Sequence, residues 1–99
     1  MKIFLDDLRP FPEHGYECVR TYNQCILLLN IFKNKLETVN LDYDLGEEKT
    51  GLDVLKYMKD NGINPQNIIV HSTHPEGVPV MREFIKNNFP LAQYTYCPL

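Results

Sequence analysis

The sequence predicts an α/β domain built on a mostly parallel sheet. Three observations carry this. Short apolar runs alternate with helix-patterned segments; residues 67–70 (NIIV) read as a strand buried on both faces; and three strand candidates end in polar, reactive residues. With 99 residues and 43% hydrophobic content, the chain makes one domain, 1–99, around a single core.

Ile3, Phe4 and Leu5 form the first strand. Pro10, Pro12 and Gly15 then make a loop with no room for a full helix. Residues 17–20 are a second short strand. Thr21 opens the clearest helix: with Gln24 it forms a capping-box pattern, and Tyr22, Cys25, Ile26, Leu29, Phe32 and Leu36 repeat as one apolar stripe. Residues 38–41 are the third strand, followed by a polar loop from Asp42 to Thr50. Thr50 and Asp53 start a second helix, with Leu52, Leu55 and Met58 on one face and Asn61-Gly62 as its stop. After the 67–70 strand, a helix begins near Pro79, turns Met81, Phe84 and Ile85 inward, and ends before Pro90. Residues 93–97 close the sheet as an edge strand. Five strands in the order 2-1-3-4-5, a flavodoxin-like three-layer arrangement lacking its first crossover helix, would make the three reactive tips neighbours.

Composition excludes several functions. A formal charge of −3 gives no basic field for general nucleic-acid binding. Cys18, Cys25 and Cys97 are odd in number and show no C-x-x-C spacing, which predicts reduced thiols in a cytoplasmic protein. Zinc is not expected, because cysteines and histidines lack ligand spacing. No apolar run approaches membrane-spanning length, and the first residues do not form an export signal.

The chemistry collects at the strand ends. Asp6 and Asp7 follow the first strand, Asp42 and Asp44 the third, and His71 and Ser72 the fourth. Alone, an Asp-Asp pair reads as a capped turn; with Asp42 at the matching end of the next strand, a site is the better reading. Three carboxylates in one pocket repel unless a proton or cation relieves them, and hard oxygen donors suit Mg²⁺ or Mn²⁺. Lys49 precedes a helix start and is either a phosphate contact or a solvated loop residue. His71 offers a general acid or base, and Ser72 and Thr73 offer hydroxyl donors. His74 stands before the next helix, and His14 reads as a surface residue.

At these residues the chain resembles the cyclic-phosphate-processing receiver-like domains, relatives of response-regulator receivers. The resemblance runs from "IFLDDLRPFP" through "LDYDLGEEKTGLDVL" to "IIVHSTHPEGVPVM". It implies a trimmed receiver fold with an acidic pocket of Asp6, Asp7 and Asp42, and a ligand that is a cyclic phosphate or related nucleotide. Two departures stand out. "QYTYCPL" has no lysine where phosphorelay receivers carry one, and His74 replaces the asparagine of the family's His-Ser-x-Asn-Pro loop.

Three readings follow. The first is a metal-dependent phosphoesterase. In it Asp6, Asp7, Asp42 and Asp44 hold Mg²⁺ or Mn²⁺, Asp42 and His71 are catalytic, and Arg9, Lys49, Ser72 and His74 bind a phosphate-bearing small molecule or nucleotide. The second is a module that sequesters a nucleotide without cleaving it. The third, ranked last because the lysine is missing, is a phospho-acceptor using Asp42. Neither a membrane nor nucleic acid in general is an expected partner, and the oligomeric state is left open.

Overall fold

The computed structural model describes residues 1–10 and 15–98. Its elements are β1 (Lys2–Leu5), β2 (Tyr16–Val19), α1 (Tyr22–Ile31), β3 (Thr38–Leu41), α2 (Gly51–Asp60), β4 (Asn67–Val70), α3 (Gly77–Asn88) and β5 (Gln93–Tyr96). The strands pair in parallel in the order β2-β1-β3-β4-β5, as the alternation predicts. β1, β3 and β4 therefore lie side by side, with their carboxyl ends along one edge. β5 is an edge strand.

The crossovers from β2 to β3, β3 to β4 and β4 to β5 all advance in the same direction, so right-handed connections place α1, α2 and α3 on one face. Burial agrees with this. Ile3, Leu5, Val39, Leu41, Ile68 and Val70, alternate positions along three strands, join Cys25, Leu29, Val54, Leu55, Met58, Met81 and Ile85 in one core. Phe4 and Asn40 occupy the intervening positions and face the other side. The β1–β2 crossover runs in the opposite direction and carries no helix among its described residues. The sheet's second face consequently carries the polar network described below.

Local signals place the helices. The Thr21 hydroxyl accepts from the Gln24 N–H at 3.1 Å, while Gln24 Oε1 reaches back to the Arg20 N–H at 2.8 Å, one residue earlier than in a capping box. Asp53 accepts from the Thr50 N–H at 2.8 Å and closes the start of α2. α3 begins at Gly77, two residues before the expected Pro79, because proline in a first helical turn removes no intrahelical bond. α1 ends at Ile31 although its apolar spacing continues to Leu36. The N–H groups of Glu37 and Thr38 bond to the Met1 carbonyl, so the chain must turn into β3, and Leu36 reaches the core from that turn.

All three cysteines are free. Cys25 is buried, and burial pushes its thiol up to about 12, which makes it inert core. No described helix is long and apolar enough to cross a membrane. Pro12 and His14 lie outside the described residues.

Candidate functional site

The tip of β1 is built around the Asp6 carboxylate, which is 1% exposed. Its Oδ1 accepts from the backbone N–H groups of Leu8 and Arg9, each at 2.9 Å. Its Oδ2 accepts from His71 Nε2 at 2.9 Å and lies 3.4 Å from Arg9 Nε. Arg20, at the end of β2, straps the same turn by donating from Nη1 to the carbonyls of Asp6 (3.0 Å) and Arg9. Burial alone would raise the Asp6 carboxyl, but the Arg9 and Leu8 N–H groups and the His71 ring outweigh it and hold the pKa below the ordinary value.

His71 follows β4 and turns under the sheet face that lacks helices. The ring is fully buried, stacks on Phe4 at 4.6 Å between centroids, and sets Nδ1 2.6 Å from the side-chain amide of Asn40. Burial pushes its pKa down against the pull of Asp6 and Asp42. Both ring nitrogens are engaged. A ring so held orients Asp6, and it could reach a ligand's proton only by releasing one of its partners.

Asp42 follows β3. Its Oδ1 accepts from the Tyr43 N–H at 2.7 Å. Burial raises the Asp42 carboxyl and the Asp6 charge adds to the rise, against His71, the Ser72 hydroxyl and the Tyr43 N–H. Two neighbouring carboxyls are thus pushed in opposite directions: Asp6 toward its anion and Asp42 toward its protonated form. One ligand atom each from Asp6, Asp42 and His71 lies within 4.8 Å of the others.

These groups floor a cleft of about 550 Å³ lined by Asp6, Asp7, Leu8, Arg9, Asp42, Asp44, Gly46, Ser72, Thr73 and His74. The Asp7 carboxylate lies against Gly46, where any Cβ would come within 2.8 Å of Oδ2. Asp44 accepts from the Gly46 N–H at 2.9 Å. Buried Ser72 accepts from the His74 N–H at 3.0 Å, and His74 Nδ1 in turn accepts from the Gly77 N–H at 2.9 Å. The Tyr43 ring braces His74 at 4.6 Å and occupies the space a Gly77 side chain would need. A comparable groove of about 610 Å³ between α2 and α3 has no clustered acids.

The family model of the cyclic-phosphate processing receiver domain matches residues 1–87. The chain belongs to that family. No curated protein and no solved structure matches it significantly.

Within this receiver domain, eight of the nine sequence-expected residues sit on one edge: Asp6, Asp7, Arg9, Asp42, Asp44, Ser72 and His74 line the cleft, with His71 buried beneath it. Lys49 does not join them. It is exposed, and its ammonium lies 5.3 Å from the Tyr22 ring centre. His74, in the asparagine position, does for α3 what an asparagine oxygen would do, accepting an N–H of its first turn. Sequence reasoning missed Asn40, Arg20 and Tyr43. Asn40 had a visible signal, being a polar residue inside a strand too buried to leave it unpaired.

The Asp6, Asp42 and His71 cluster is one that could hold a metal ion. Asp42 and Asp7 are oxygen donors on the cleft wall, and a cation there would offset the burial and the Asp6 charge that raise Asp42. A cation drawing on Asp6 and His71 as well must compete with their mutual hydrogen bond. In the metal-free protein Asp42→Asn is therefore expected to raise the thermal midpoint by about 3–5 °C at pH 7. The sign follows from the raised pKa: folding disfavours the Asp42 charge, so stability is lost as pH rises through its titration. Thermal scans from pH 7 to pH 4 should show the gain shrinking as the native carboxyl takes up its own proton. A variant no more stable than the parent at pH 7 contradicts this account.

Proposed function

We propose that this receiver domain is a metal-dependent phosphoesterase acting on a cyclic phosphate or cyclic nucleotide. The observation that carries the reading is the cluster of Asp6, Asp42 and His71, one ligand atom of each within 4.8 Å of the others, at the floor of a cleft of about 550 Å³. Asp42, Asp7, Asp44 and the outer side of Asp6 would hold Mg²⁺ or Mn²⁺. Bound there, such an ion polarises a phosphoryl oxygen and makes a water acidic.

The chain's own residues supply the rest. Arg9 presents a guanidinium at the mouth, with its Nε already turned to Asp6 and its remaining N–H groups suited to phosphate oxygens. Ser72, Thr73 and the His74 ring form the facing wall. Asp42 would fix the ion, and with it the attacking water, beside the phosphate, the water's proton passing to solvent. His71 is a positioning residue that keeps Asp6 ionised and aimed.

The full engagement of His71 favours a second reading, a module that holds the ligand without cleaving it. One experiment separates them: incubation with 2′,3′-cyclic and 3′,5′-cyclic mononucleotides and cyclic dinucleotides plus Mn²⁺, followed by mass analysis of the recovered ligand. The proposal expects ring-opened product, lowered at least about 100-fold by Asp42→Ala. Tight binding with the ligand recovered intact establishes the second reading. Neither binding nor product, or turnover indifferent to Asp42→Ala, overturns the proposal.

A further inference from the structure

α3 starts just after His74, a residue of the cleft wall, yet its first N–H groups are not free to serve the cleft. A helix start at a phosphate site ordinarily offers those groups to the ligand. Here the Gly77 N–H donates to His74 Nδ1 at 2.9 Å, and the Val78 N–H donates to the His74 carbonyl at 3.1 Å. Pro79, the next residue, has no N–H. Gly77 and Val78 are buried, so both of their donors are committed to His74.

That commitment fixes the chemistry of the His74 ring. A ring nitrogen that accepts an N–H carries no hydrogen itself, so the neutral imidazole bears its hydrogen on Nε2. The ring's place is set as well. Tyr43 lies against it at 4.6 Å between centroids, and the His74 N–H donates to the Ser72 hydroxyl at 3.0 Å. Among the described residues nothing accepts from Nε2. His74 is half-buried and lines the cleft, so Nε2 is the polar ring atom left to meet a ligand. It meets it as a donor. Action as a base or a metal ligand would need the lone pair on Nε2 and a hydrogen on Nδ1, facing the Gly77 N–H.

We propose that His74 carries the donor of α3 into the cleft, its Nε2–H hydrogen-bonding a phosphoryl oxygen of the ligand. Accepting a bond at Nδ1 polarises the ring and strengthens the donor at Nε2. The inference rests on the reading of the cleft as a phosphate site and holds whether the ligand is cleaved or kept. It also accounts for the departure from the family's asparagine. An amide that accepts from Gly77 through its oxygen likewise leaves an NH₂ to donate. The imidazole keeps that polarity, with its acceptor toward the helix and its donor toward the cleft.

Long-range proton–nitrogen correlation of the ¹⁵N-labelled protein near pH 7, alone and with 2′,3′-cyclic AMP plus Mg²⁺, tests it. The His74 ring signals are those missing from His74→Asn. Expected are a hydrogen on Nε2, none on Nδ1, and a shift of the Nε2 signal when the nucleotide binds. By calorimetry, His74→Ser should weaken nucleotide binding about 10-fold, because its hydroxyl still accepts from Gly77 but no donor replaces Nε2–H. His74→Asn, which restores a donor, should recover most of that loss. A hydrogen on Nδ1 overturns the proposal. So do a bound nucleotide that leaves Nε2 unmoved, His74→Ser binding as tightly as the native chain, and equal losses in the two variants. If the nucleotide shifts no signal anywhere in the protein, the phosphate reading of the cleft falls, and this inference falls with it.

Discussion

Asp6→Ala is expected to lower the thermal midpoint by roughly 20 °C at pH 7, close to the limit of what a domain of this size survives. The reason is the number of groups that depend on one carboxylate. Removing it strands two backbone N–H groups, a buried imidazole N–H and one face of the Arg9 guanidinium. Breaking a buried charged network by deleting one partner costs about 3–5 kcal/mol, because the remaining groups lose their solvation as well as their bonds. Asp6→Asn should recover about half of the loss, since its amide oxygen can still cap Leu8 and Arg9 while its NH₂ faces the His71 and Arg9 donors.

The pH dependence identifies the mechanism. Folding lowers the Asp6 pKa below its ordinary 3.8, so its stabilisation is complete above that value and is lost as the pH falls through the folded value. The gap between the native protein and Asp6→Ala should therefore stay constant near neutrality and close only in acid. Asp42 runs in the opposite direction, so the two carboxyls are separable by sign alone. Urea titrations of Asp6→Ala from pH 7 down to pH 3 measure this. A midpoint loss under about 5 °C at pH 7 would show that Asp6 is an ordinary turn residue.

The positions of the reactive residues were legible in the sequence, and most of their bonding was not. Parallel strands send all their carboxyl ends to one edge, so reading Asp6, Asp42 and His71 as strand tips already placed them together. The partners of those residues depend on which sheet face each side chain takes, a two-residue periodicity that a single four-residue strand barely displays. Asn40 alternates with Val39 and Leu41 onto the His71 side, yet "TVNL" gave no hint that an imidazole would meet it. Lys49 was placed at the pocket by its proximity to a helix start, whereas the loop carries it to the Tyr22 ring instead. The end of α1 was obscured because Phe32 and Leu36 continue the helical spacing. The Met1 carbonyl, 35 residues upstream of Leu36, decides where the chain turns, and local periodicity cannot register such a contact.

Gly51→Ala should disable fold and cleft together. Gly51 opens α2 and has an ordinary backbone conformation, so the constraint is space rather than dihedral freedom. A Cβ there would lie 1.9 Å from the Asp42 carbonyl oxygen and 2.9 Å from the Met81 methyl. Met81 can rotate aside, but the Asp42 carbonyl belongs to the backbone leaving β3 and cannot. The Gly51 N–H also bonds to the Tyr43 carbonyl at 2.9 Å, which ties helix and strand tip into one turn. Relieving the overlap means moving α2 or Asp42 by more than 1 Å. Either shift breaks the Gly51–Tyr43 bond and displaces the Asp42 carboxylate from the cluster it forms with Asp6 and His71. Overpacking of this kind costs about 3 kcal/mol or more, a midpoint loss of some 12–24 °C. Gly62→Ala is the internal control: with φ +65° and nothing within 4 Å, it should cost only about 1 kcal/mol and leave the cleft alone. Calorimetry of both variants, with Mn²⁺ titration of each, distinguishes steric exclusion at the strand tip from a general sensitivity of glycine positions. Equal losses at the two sites, or Mn²⁺ affinity retained in a folded Gly51→Ala, would refute the steric argument.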